Sequence, residues 1–210
     1  MPGEHDAAAA PAGIRRRWRF AVVLAASLLL AVAQPLFSGL LGDEGSFDVF
    51  FSLLIAVVVL LVIENREQRR IAIFLGLIAF LGIWIGHGID GPASRSVLVG
   101  AHLIAAGVLG FALYGILRAT LLNHASGDAL FGAVCGYLLL GIIWSVLYSA
   151  VETAFPGSFH FPSPADAGAA AARPSRGTFG YFSFVTLATV GYGDVTPVTA
   201  LARTLAWMEA

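Results

Sequence analysis

The chain has 210 residues, 58% of them hydrophobic and only 12% charged, with a formal net charge of −1. A soluble domain carries about 25% charged residues, so this composition, with a mean hydropathy of +0.84, excludes an ordinary soluble class and points to a membrane protein. The near-neutral charge excludes a nucleic-acid partner, and the single cysteine, Cys135, excludes an intrachain disulfide and any Cys/His zinc spacing.

Residues 1–14 read as a disordered cytoplasmic tail. Apolar runs that cross a bilayer need roughly 17–25 residues. Five are present, at about 18–41, 47–63, 71–89, 97–121 and 129–153. A sixth begins near Val198. Pro35 is expected to kink the first, and Gly86, His87 and Gly88 weaken the end of the third. The first run, with its Arg cluster and Ala31-Val32-Ala33, also resembles a cleavable signal peptide. The apolar stretch continues through Leu36, Phe37, Leu40 and Leu41, so a retained helix is expected.

Arginine sets the orientation. Arg15, Arg16, Arg17 and Arg19 precede the first run, Arg66, Arg69 and Arg70 separate the second from the third, and Arg118 ends the fourth. The alternate loops hold Asp43, Glu44, Asp90 and one base, Arg95. Positive charge marks the cytoplasmic side. The N-terminus is therefore expected inside, in a multi-pass protein of the inner (plasma) membrane. Residues 154–177, rich in Pro, Gly and Ala, are expected to form a long, mobile external loop.

Thr178 to Ala188 reads as a short amphipathic helix, and Thr189-Val190-Gly191-Tyr192-Gly193-Asp194 follows it. A site that passes K⁺ must replace the hydration shell with oxygens of similar strength. Backbone carbonyls do so without a fixed charge, if they all face one axis. That needs unusual backbone angles at alternate residues, which glycine reaches without Cβ strain. Gly191 and Gly193 have that spacing, and Thr189 can add its hydroxyl at the inner end. Irregular backbone at this depth is tolerated only where protein or a water-filled cavity surrounds it.

On these six residues the sequence resembles the potassium channel family of prokaryotes, whose filters set four such loops around one axis. The resemblance covers 129–210: outer helix, external loop, pore helix, filter and inner helix. It implies that carbonyls of Thr189, Val190, Gly191 and Tyr192 coordinate K⁺, with Gly193 and Asp194 supporting them. It implies a homotetramer in the lipid bilayer, passive K⁺ transport, no enzyme activity and no cofactor beyond the ion itself. Asp194, Thr196 and Pro197 are expected to open the next helix, with Pro in its first turn. Two departures stand out. Where some relatives carry Glu four residues before the filter Thr, this chain has Val185. Where others carry Trp, it has Tyr181 and Phe182. The Tyr181 hydroxyl is therefore expected to bond Asp194, while Phe182 has no donor for Tyr192.

The fold class expected is an all-α membrane protein of about five complete spans, a re-entrant pore helix with its filter loop, and the start of a sixth span. Two parts are expected, a four-helix bundle over 15–125 and a pore unit over 126–210. The bundle has no gating charges, because Arg118 is the one Arg in the fourth run and no run holds an Arg ladder. The last run stops at Ala210, short of the bilayer thickness, so a truncated inner helix is expected. Alternatives are a non-conducting subunit that blocks intact partners, or a less selective cation channel. A membrane hydrolase finds no Gly-x-Ser-x-Gly and no His-Glu-x-x-His. His102 reads as a pH sensor or as a neutral residue bonded to a neighbouring helix. Glu152 reads as a contact behind the filter or to the pore helix. His87 and Asp90 read as interfacial, Glu64 as reaching cytoplasmic water, and Trp18 and Trp207 as anchors or packing. Gly132-x-x-x-Gly136 reads as a close-packing motif.

Overall fold

A computed structural model describes residues 21–29, 43–63, 65–89, 91–122, 127–161 and 176–210. The tail 1–14, the Arg15–Arg19 cluster, Trp18, Pro35, Glu64 and Asp90 lie outside them, as do the side chains of Asp43 and Glu44. Among the described residues the fold is all-α apart from one pair of two-residue strands. The elements are α1 (21–29), α2 (Asp43–Val62), α3 (Arg66–Gly88), α4 (Pro92–Leu122), α5 (Gly127–Ala154), β1 (Phe159–His160), α6 (Arg176–Leu187), β2 (Thr196–Pro197) and α7 (Ala200–Glu209).

Among the described residues three helices are long and apolar enough to cross a membrane: Arg66–Gly88, Pro92–Leu121 and Ala129–Ala154. They coincide with the third, fourth and fifth apolar runs. The second run lies in α2, whose shorter apolar stretch is Phe51–Val62. The first run is described only over 21–29. The surface of these helices is apolar: Ile71, Phe74 and Trp84 on α3 and Tyr114 on α4 are all exposed. That is the pattern of a helix surrounded by lipid, where the outside is as apolar as the inside.

Helix α3 starts at Asn65, whose side chain accepts from the Glu67 amide at 2.9 Å and caps the first turn. Gly91, just ahead of α4, has φ of +98°. The two helices pack closely because Gly82 and Gly86 admit Ala101 and Leu98. A Cβ on Gly86 would lie 2.6 Å from Leu98 Cγ. Helix α4 then packs on α5. Here Gly132 approaches Thr120 so closely that an added Cβ would lie 2.3 Å from its hydroxyl. Gly136 makes only ordinary contact with Leu113 and Leu117, so close approach in the expected glycine pair belongs to Gly132.

One apolar core runs from Val58, Val59 and Ala79 through Leu109 and Ile116 to Cys135 and Leu139. His102 is buried in α4, and its Nδ1 lies 2.6 Å from the Leu98 carbonyl of its own helix, not from a neighbouring helix. His87 Nδ1 does the same with Ile83, also at 2.6 Å.

The region after α5 departs from two expectations. The external loop is not a free spacer from its start. Phe155 to Ser158 turn tightly, with Gly157 at φ +85°, and β1 pairs antiparallel with β2, Phe159 opposite Pro197 and His160 opposite Thr196. Residues 162–175 of that loop lie outside the described residues. Pro197 does not occupy the first turn of the last helix. It belongs to β2, and α7 starts at Ala200 behind the cap Thr199, whose hydroxyl accepts from the Ala202 amide at 3.3 Å. The strand pairing keeps Thr196 and Pro197 extended, and the Val198 and Thr199 amides both donate to the Ser158 carbonyl, at 2.8 and 3.4 Å, which ties the segment to the β1 turn ahead of the helix.

Candidate functional site

Helix α6 is short, and its seat is aromatic. Phe182 and Phe179 point into a bank with Tyr148 of α5 and Phe159 of β1, ring centroids 5.0–5.5 Å apart in edge-to-face contacts. Such pairs contribute about 0.5–1.5 kcal/mol each beyond the area they bury. Phe182, with no polar group to offer Tyr192, is thus a packing residue behind the helix. On the side toward α5, Gly141 leaves room for the Phe184 ring; a Cβ there would stand 2.5 Å from Phe184 Cε1.

The segment after α6 alternates in backbone handedness. Thr189, Gly191 and Gly193 have positive φ, at 55°, 58° and 77°, while Val190 and Tyr192 do not. Alternation of this kind places successive peptide groups on one side instead of alternating them as a strand does. The glycines were legible from the sequence. Thr189 was not, since a β-branched residue rarely adopts positive φ. Its amide closes the helix end by donating to the Thr186 carbonyl at 2.8 Å.

Two amides fix which way this segment faces. Val190 and Gly191 donate to the same Val185 carbonyl, at 2.9 and 3.4 Å. No peptide bond here is cis, and in a trans peptide the C=O points opposite to the N–H. The carbonyls of Thr189 and Val190 are therefore turned away from α6, toward the exposed face of the chain. Val190 and Tyr192 are 52% and 71% exposed on that single chain, which leaves this face open to other chains.

The outer end is braced by Tyr181. Its hydroxyl donates to Asp194 Oδ2 at 2.7 Å, the contact expected from the sequence. Asp194 Oδ1 accepts from the Val195 amide at 2.9 Å. The Tyr181 hydrogen bond is the main reason the Asp194 carboxyl is held below its ordinary range. The same bond keeps the phenol protonated and pushes it up to about 12. The Tyr181 ring also stacks on Tyr192, 6.4 Å between centroids and 4° from parallel. One side chain thus holds both Tyr192 and Asp194.

Glu152 does not reach the segment 189–194 or α6 through its described bonds. Its two oxygens accept from the Gly157 and Phe159 amides, at 2.8 and 3.1 Å, and order the turn that leads into β1. A contact the sequence did not reveal lies deeper. Glu209 of α7 is only 6% exposed. Its Oε2 accepts from the Tyr148 hydroxyl at 2.5 Å, and its Oε1 contacts the Ser183 hydroxyl of α6. The signal available was the acid itself, one carboxyl in an apolar helical run, which in a membrane calls for a partner. The partners stand 61 and 26 residues away, and no local spacing links them.

Among the described residues no group of three or more His, Cys, Asp or Glu converges as a metal site. No curated protein and no solved structure matches the chain. Residues 132–210, which hold α6, the alternating segment, α7 and most of α5, match the family model of an ion channel, so the chain is similar to ion channels over this unit.

Proposed function

We propose that the chain is one subunit of a K⁺-selective channel, with Thr189, Val190, Gly191 and Tyr192 lending carbonyl oxygens to the ion. The observation that carries this is the turning of the Val190 and Gly191 amides onto Val185 within a segment of alternating handedness. It leaves the carbonyls of Thr189 and Val190 turned away from α6, with no backbone partner among the described residues. One chain offers one wall of such a site. A closed ring around an axis needs several copies, and the K⁺ filter sequence implies four. The C-terminal end of α6, with about half a negative charge, abuts the filter and favours a cation there.

In this reading Tyr181, Gly193 and Asp194 support the filter. Transport is passive, no bond is made or broken, and K⁺ is cargo rather than cofactor. The arginine distribution places the N-terminus in the cytoplasm. The filter then opens to the outer side, since α5 leads outward into the β1 turn.

The test is flux from liposomes holding the purified chain, with K⁺ and Na⁺ compared under equal gradients. K⁺ flux at least about a hundredfold above Na⁺, a difference of roughly 2.7 kcal/mol, is expected. Equal passage of both ions would reduce the reading to an unselective cation pore. No flux from a folded tetramer would overturn it.

A further inference from the structure

The Glu209 carboxyl joins three helices, and its hydrogens can be counted. Ser183 Oγ lies 2.8 Å from the Gly141 carbonyl oxygen and also contacts Glu209 Oε1. A carbonyl oxygen only accepts, and a serine hydroxyl has one proton. If that proton goes to Gly141, the contact with Glu209 needs a hydrogen on Oε1. If it goes to Glu209, two bare oxygens face each other at 2.8 Å. Tyr148 supplies the proton on the Oε2 side. Only a protonated carboxyl satisfies every contact.

The surroundings agree. The groups that act on the carboxyl are burial, Ser183 and Tyr148, with no cation among them. On α5 the next acid, Glu152, is engaged with the Gly157 and Phe159 amides. On α6 Tyr181 is turned to Asp194. On α7 Arg203 donates its Nε to the Pro197 carbonyl. An ionised carboxylate in this place would be buried without a counter-charge, which is strongly unfavourable.

We infer that Glu209 is a neutral carboxylic acid that donates to Ser183, so that the relay Glu209 to Ser183 to Gly141 clamps α6 between α5 and α7. Ser183 precedes Val185 by two residues, and the Val185 carbonyl holds the filter amides. Glu209 is thus a positioning residue for the filter. The clamp is a property of the fold, and only its effect on ions rests on the channel reading above.

Infrared difference spectra test it, taken on the chain in lipid at neutral pH, wild type against Glu209→Gln. The carbonyl stretch of a protonated carboxylic acid is expected in the wild type and not in the variant. It should persist from about pH 5 to about pH 8, a range in which an exposed glutamate is ionised. Carboxylate bands in its place would overturn the inference, whether or not the protein conducts. The second measurement is thermal protection of the assembly by K⁺. Gln keeps an acceptor for Tyr148 and a donor for Ser183, so Glu209→Gln should retain the wild-type K⁺ midpoint. Glu209→Ala and Ser183→Ala leave buried groups unpaired and should raise it about tenfold or more. A Gln variant as damaged as the Ala variant, or one that does not fold, would overturn the neutral acid.

Discussion

The helices α2–α4 and the unit α5–α7 are held by different means. In α2–α4 the buried side chains are mostly aliphatic, Val58, Val59, Ala105 and Leu109 among them. Polar groups there mostly bond within their own helix, as His102 and His87 do. In α5–α7 the ties cross between elements: Tyr148 to Glu209, Ser183 to Gly141, Tyr181 to Asp194, Glu152 to the β1 turn. The contrast has a physical source. Lipid gives apolar side chains no reason to leave it, so helices in a membrane associate by close packing and polar bonds. Regular helices satisfy their own backbone and need little more. A backbone such as 189–193 cannot, and other groups must hold it. Substitutions in the second region should therefore cost more, and in ways that show in function.

The largest effect is expected at Gly191→Ala. Nothing stands within 4 Å of an added Cβ, so no clash arises. The cost comes from φ of +58°, at which an L-residue loses roughly 1–2 kcal/mol. Repeated in each subunit of the proposed tetramer, that is enough to turn carbonyls out of line. K⁺ over Na⁺ selectivity in liposome flux should collapse while the assembly still forms. Unchanged selectivity would break the link between backbone handedness and the ion.

Two glycines sharpen the comparison on stability. At Gly141→Ala the new methyl meets the Phe184 ring at 2.5, 2.8 and 3.0 Å. The ring is wedged against Tyr137, 6.4 Å between centroids, so a loss of about 1–3 kcal/mol is expected from overpacking. At Gly107→Ala, in α4, nothing stands within 4 Å. Helix propensity should then stabilise the chain by up to about 1 kcal/mol. Thermal unfolding of both variants decides the matter, and equal shifts would remove the distinction between the two regions.

How much of this was legible follows the same line. Helices α3, α4 and α5 could be read from apolar runs, because a span advertises itself over some twenty consecutive residues. The positive φ at 191 and 193 could be read because both positions hold glycine at alternate spacing. The Tyr181–Asp194 bond could be read because both groups lie close to the filter in sequence. The Glu209 clamp and the aromatic bank at Phe159 could not, since their partners come from distant helices and any hydroxyl or ring would have served equally well on paper. The start of α7 was misread for a related reason: Pro197 fits a first helical turn, and only the pairing with β1 shows that the segment is already committed. The positive φ of Thr189 was not foreseen, because propensity argues against what the surrounding bonds impose.

A smaller effect is expected from Tyr181→Phe, which removes one hydroxyl and keeps the ring on Tyr192. The Asp194 carboxyl is depressed in the folded state. Its contribution to stability is therefore present above the ordinary aspartate range and is lost as pH falls through the lowered value. Without the Tyr181 bond, its main cause, that value rises toward the ordinary one. The variant should then be less protected by K⁺ at neutral pH, and the gap to the wild type should close as pH falls below the ordinary aspartate range. An acid profile identical to the wild type would show that the bond does not hold Asp194 in the assembled protein.

The smallest effect is expected at Arg118→Gln. Voltage does work on a protein only by moving charge through the field, about 2.3 kcal/mol per elementary charge per 100 mV. Arg118 is the one arginine in α4 beyond its first turn, and it is exposed one turn from the Leu122 end. A charge already at the edge of the bilayer crosses little of the field whatever the helix does. Its side chain can reach water or headgroups without moving the helix. Steady-state currents at equal voltages of opposite sign should thus show no steep voltage dependence in the wild type, and the variant should match it. A steep dependence that flattens in Arg118→Gln would mean that α4 moves as a charged element, and the region that looks like passive scaffolding would be the sensor.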